Sequence, residues 1–100
     1  MLDGIYKVTF IGQGVGTGIV IVRGTEFRGG DKYFYYTGAF SAVLGEITAT
    51  FEVKRHTPGE ASVFGRDSLT ASLHGLAGER DFLMEAPGKV FTITGNWLEK

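Results

Sequence analysis

The sequence predicts an all-β fold: an eight-stranded antiparallel up-and-down barrel formed by one domain over residues 1–100. Three observations predict it. Apolar residues recur with a period of two rather than 3.6. The links between the periodic segments are short and rich in glycine. No segment carries the apolar stripe of a helix.

Each strand can be read in order. Tyr6, Val8 and Phe10 alternate with Lys7 and Thr9. Gly16–Arg23 and Glu26–Gly30 follow, then Tyr33–Ser41. The clearest alternation runs from Ile47 to Arg55, with Ile47, Ala49, Phe51 and Val53 on one face and Thr48, Thr50, Glu52 and Lys54 on the other. That is a strand with one dry and one wet face. Leu69, Ala71 and Leu73 alternate with Thr70, Ser72 and His74. Arg80–Glu85 and Phe91–Trp97 complete the set.

The links carry turn chemistry: Gly12-Gln13-Gly14, Arg23-Gly24-Thr25, Gly29-Gly30-Asp31, Leu44-Gly45-Glu46, Ala77-Gly78-Glu79 and Pro87-Gly88-Lys89. The one longer link is residues 56–67, which Pro58, Gly59 and Gly65 keep irregular. Links this short force antiparallel neighbours, because a parallel crossover needs about a dozen residues. A meander of this many strands removes its exposed edges by closing on itself. The 16 glycines against 2 prolines suit turns and sharply coiled strands.

Composition narrows the function classes. Hydrophobic residues make up 43% and aromatic residues 13%, enough for a packed core, and a net charge of −1 places the chain far from disorder. That balance also argues against a nucleic-acid surface, which needs a basic excess or stripe. The absence of cysteine excludes disulfides, thiolate metal sites and cysteine nucleophiles, and suits a reducing compartment. Met1, Leu2 and Asp3 lead straight into a strand-like segment with no signal-peptide pattern, and no run approaches the roughly 18 apolar residues of a spanning helix. The expectation is a cytoplasmic protein with no membrane partner.

Catalytic patterns are weak throughout, and the expectation is a non-enzyme without metal or cofactor. Gly12 to Gly18 lacks the G-x-G-x-x-G spacing and leads into a β-branched strand rather than a helix N-terminus, so it reads as a tightly packed hairpin and not a phosphate loop. His56 and His74 have no second histidine at ligating spacing and read as surface residues. Asp67, Ser68 and His74 could be assembled on paper into a triad, but no G-x-S-x-G elbow accompanies them. Asp31, Glu46, Glu60 and Glu79 sit at turns, where solvation accounts for them.

Two features point to binding. Gly18–Val22, and Tyr33–Tyr36 continuing to Phe40, are apolar on both faces, although a barrel strand has only one inside. Their outer faces form a candidate dimer or partner surface, represented by Val20, Val22, Tyr33 and Tyr35. Tyr6, Phe10, Phe51, Phe91 and Trp97 are candidates to line the interior, with Trp97 closing one end. Eight strands leave room for side chains or one small apolar ligand, and short strands favour a filled or narrow interior.

The order of Asp3-Gly4-Ile5-Tyr6, then Gly16-x-Gly18-Ile19-Val20-Ile21, Gly29-Gly30-Asp31 and Tyr36-Thr37-Gly38 resembles the GrlR-like negative regulators of type III secretion. These are small bacterial proteins with a calycin-type, lipocalin-like barrel. The resemblance is sharpest over residues 3–40. It implies a cytoplasmic homodimer acting by protein contact on a transcriptional activator. The family's regulator has a run of acidic residues in the loop after the Tyr-x-Gly strand, implicated in activator binding. Here that stretch is Ala42-Val43-Leu44-Gly45, with only Glu46 acidic, so the role does not transfer residue by residue. The alternative is small-molecule or lipid binding by the barrel interior.

Overall fold

In the computed structural model, which describes residues 1–60 and 62–100, eight strands close into an antiparallel barrel. They are β1 (Gly4–Ile11), β2 (Val15–Arg23), β3 (Glu26–Gly30), β4 (Phe34–Val43), β5 (Glu46–Arg55), β6 (Ser68–Ala77), β7 (Asp81–Glu85) and β8 (Thr92–Glu99). Each strand pairs with the next, and β1 pairs with β8, so every strand has a neighbour on both sides. Among the described residues the one helical element is a single 3₁₀ turn at Pro87–Lys89. Among the described residues no helix is long and apolar enough to cross a membrane.

The expected strands all form, with small shifts at their ends. Gly29 and Gly30 belong to β3, and the chain turns instead at Asp31 to Tyr33. There the Asp31 carboxylate accepts hydrogen bonds from the backbone N–H of Tyr33 at 2.9 Å and of Phe34 at 2.8 Å. Glu46 is the first residue of β5 rather than part of the turn. On β8, Ile5 pairs with Glu99 and Tyr6 with Trp97, so Leu98 is an extra residue in a bulge at the closing seam.

Two inward glycines make room for aromatic rings. Phe27 pairs across the sheet with Gly38, and Phe82 with Gly95. A Cβ on Gly38 would lie 2.4 Å from the Phe27 ring, and one on Gly95 would lie 2.1 Å from the Phe82 ring. The rings rest against bare backbone, in space that a Cβ would occupy.

The long link between β5 and β6 crosses one end of the barrel; its position 61 lies outside the described residues. Phe64 drops from it into the core, with ring centroids 5.0 Å from Phe91, 5.2 Å from Phe10 and 5.8 Å from Phe51. Arg55 ties the link down. Its guanidinium lies 4.4 Å from the centre of the Phe34 ring and donates to the Asp67 carboxylate at 2.7 Å and the Glu60 carbonyl at 2.8 Å. At the other end Leu2 donates its N–H to the Glu79 carbonyl, and the Tyr6 hydroxyl donates to the Leu2 carbonyl at 2.6 Å.

Candidate functional site

The direction of every side chain on β2 follows from β1. Tyr6, Val8 and Phe10 point inward, and cross-strand partners share a face. The register pairs Tyr6 with Val20, Gly4 with Val22 and Phe10 with Gly16. Val20 and Val22 therefore point inward, with only 4% and 2% of their surface exposed. They belong to the core and correct the expectation that placed them on a partner surface. The outward residues are their neighbours Ile19 and Ile21, exposed by 42% and 50%.

Tyr35 does face outward, exposed by 42%. It stands in one row with Ile19 across Gly30, which has no side chain to separate them. Tyr33 departs from the expected surface. It precedes β4 in the turn that Asp31 holds, lies half-buried against the core, and rests its ring on Gly59 in the long link. Ile11 and Val15, paired opposite each other and both exposed, extend the apolar strip toward the β1–β2 turn. The candidate site is thus the outer wall of β1, β2 and β4, one residue out of step with the sequence expectation on β2 and in step with it at Tyr35.

The interior is filled. Tyr6, Phe10, Phe51 and Phe91 are buried, and Trp97 is half-buried at the end held by the chain start. The Trp97 indole N–H donates to the Asp3 carbonyl at 3.1 Å, and the Arg80 guanidinium lies 4.9 Å from the centre of its ring. Phe51 packs 5.9 Å from Tyr36 and 6.1 Å from both Phe10 and Phe91, centroid to centroid. Sequence reasoning omitted Tyr36, Phe27, Phe82 and Phe64. The inward phase of β4 pointed to Tyr36, whereas Phe64 lies in irregular chain with no periodicity to reveal it. A cavity of about 20 Å³ remains among wholly apolar groups, with Met1 and Phe40 beside it. That is room for about one water molecule and offers that water no polar partner.

One polar cluster enters the core. The Tyr36 side chain, fully buried, donates its hydroxyl to the Asp31 carboxylate. Burial first, and then the hydrogen bond to Asp31, push the phenol far above its ordinary 10.0. Burial also raises Tyr6, helped by the nearby charges of Asp3 and Asp81.

The polar residues that suggested chemistry do not converge. Asp67 is engaged by Arg55, while Ser68 and His74 lie six residues apart on the outer face of β6, about 20 Å at strand rise. His56 bonds its Nδ1 to the Thr57 hydroxyl at 2.7 Å and its Nε2 to the Asp31 carbonyl at 3.1 Å. Among the described residues, no group of three or more His, Asp or Glu side chains is placed to hold a metal ion. Gly12 to Gly18 forms the β1–β2 hairpin, where a Cβ on Gly12 would lie 2.5 Å from the Val63 carbonyl. The sequence matches no family model and no curated protein.

Proposed function

We propose that this protein is a small non-enzymatic regulator that acts in the cytoplasm by protein–protein contact. It resembles the GrlR-like negative regulators of type III secretion, works as a homodimer, and acts on a protein such as a transcriptional activator. The observation that carries this reading is the pair of isoleucines, Ile19 and Ile21, held in water on the outside of a closed barrel beside Tyr35. The barrel's own packing makes no use of them. Aromatic and aliphatic groups clustered on a rigid wall are what a protein interface buries.

Native mass spectrometry of the purified protein and of an Ile19→Lys, Ile21→Lys variant tests the reading. The wild type is expected to associate, and the variant to be a folded monomer. A wild-type monomer at high micromolar concentration removes the basis for it.

The alternative, a carrier of lipid or another small apolar molecule, has little room. A cavity of about 20 Å³ takes no lipid chain unless the aromatic core moves aside.

A further inference from the structure

One stretch of the barrel wall has a strand on only one side. β1 runs beside β2 from Val15 to Val22, but β3 runs beside it only from Ile19 to Arg23. β3 stops because the Asp31 carboxylate takes the Tyr33 and Phe34 N–H groups and the Asp31 N–H donates to the Phe34 carbonyl at 2.9 Å, which turns the chain back into β4. Residues 15–18 of β2 are left with an open edge.

The main-chain groups on that edge have a fixed direction. The Gly12 N–H donates to the Gly14 carbonyl across the β1–β2 turn, so even-numbered residues of β2 turn their N–H and C=O toward β1 and odd-numbered residues turn theirs away. Ile19, Ile21 and Arg23 meet β3 in this way. Val15 and Thr17 come next in the same series, and both are exposed. Among the described residues, no hydrogen-bond partner meets their main-chain groups on that side.

A cleft of about 300 Å³ opens beside them, lined by Phe10, Phe34 and Phe64 and rimmed by Lys32 and Glu60. Gly16 pairs with Phe10, shares its inward face and carries no side chain. A Cβ there would come no nearer than 3.4 Å to the Val63 side chain. A residue laid opposite Gly16 would point to the same inward side, toward the aromatic rings. The turn at Asp31 to Phe34 bounds the cleft on the side away from β2. In a second copy the same turn stands beside the same edge, so joining two such edges would bring the two turns together. A single extended segment needs only the roughly 4.8 Å of one strand spacing.

We infer that residues 15–18 of β2 take up an extended segment of a partner protein as an added strand, with an apolar side chain of that segment seated in the cleft. A row of unpaired N–H and C=O groups is a template for a strand, and alternate side chains of that strand read the pocket beside it. This rests on the reading of the β2 wall as a contact surface, with which the cleft is continuous through Val15 and Ile19, and names the chemistry of what meets it.

Hydrogen exchange and NMR titration test this. In the free protein the Val15 and Thr17 amides are expected to exchange fast and those of Gly16 and Gly18 slowly. Equal protection of all four overturns the open edge. The probe is a capped peptide of alternating threonine and valine flanked by lysines. It is expected to shift and slow the Val15 and Thr17 amides, and a version with serine for valine is expected to bind about tenfold more weakly or worse, the loss of one buried apolar side chain. Thr17→Pro removes an N–H that the barrel does not use, so the variant is expected to stay folded and lose the peptide. If it unfolds, or folds and still binds, the inference falls. Gly16→Val fills the slot from β2 itself and is a second, independent block. Unchanged Val15 and Thr17 amides with the peptide overturn the added strand, and a wild type that still associates in the native mass spectrum then leaves the contact reading of Ile19 and Ile21 standing. If Thr17→Pro alone separates copies of the chain, the edge is filled by a second copy and the partner segment is overturned.

Discussion

Ile19 and Val20 are neighbours in the chain and lie on opposite sides of the barrel wall, Ile19 in water and Val20 packed among core side chains. The same substitution must therefore do different things to them. Val20→Asp buries an unpaired charge and is expected to cost upward of about 4 kcal/mol, enough to unfold a small domain. Ile19→Asp is expected to change stability by within about 0.5 kcal/mol. Urea denaturation followed by circular dichroism checks the contrast. Equal losses would show that β2 has the other phase.

The Tyr36 and Tyr6 hydroxyls give stability a defined alkaline limit. Their pKa values in the folded chain lie above the ordinary 10.0. Below about pH 10 both states keep the protons and stability is level. Above it the unfolded chain releases protons that the folded chain holds, so stability falls by up to about 1.4 kcal/mol per pH unit for Tyr36, and Tyr6 acts in the same direction. Tyr36→Phe removes one hydrogen bond to a carboxylate and is expected to cost about 2 kcal/mol at pH 7. It is also expected to shallow the decline above pH 10. Thermal unfolding from pH 7 to 11 measures both effects.

Phe64 seals the end of the barrel that the 56–67 link crosses. Phe64→Ala removes its contacts with Phe10, Phe51 and Phe91, and is expected to cost about 3 kcal/mol. Hydrogen exchange should show the link opening far more readily while the central strands stay protected. Unchanged protection of the link would mean that Arg55 and the backbone bond from Gln13 to Val63 hold it without Phe64.

Leu44 offers the opposite sign. Leu44→Asn suits the left-handed turn position and is expected to stabilise the monomer by about 0.5–1 kcal/mol. The midpoint of urea unfolding, measured at a dilution where copies stay apart, reads the gain.

The interior should admit a small apolar solute only when enlarged. Phe51 touches most of the aromatic core, so Phe51→Ala is expected to open a dry cavity that binds benzene, at about 3–5 kcal/mol of stability. The wild type is expected to show no benzene-induced rise in melting temperature. A rise in the wild type would revive the carrier reading.

How much of this was legible in the residues divides along a physical line. Period-two alternation and glycine-rich links determined the number of strands and, everywhere but at the 56–67 link, their antiparallel sense, because so short a link permits no parallel crossover. The aromatic filling was legible where alternation was clean, as at Tyr6, Phe10 and Phe51. Where both faces of β2 are apolar, at Gly18–Val22, composition carries no phase, and the outward set was read one residue off; Tyr35 of β4 does face outward, while Tyr33 lies in the turn before that strand. Only pairing with β1 decided that Val20 faces in and Ile19 out, since a register slip of one residue exchanges the two faces. The fit of Phe64 into the barrel end and the meeting of Tyr36 with Asp31 were likewise decided in three dimensions. The path of the long link and the turn before β4, rather than any period-two pattern, bring those side chains together.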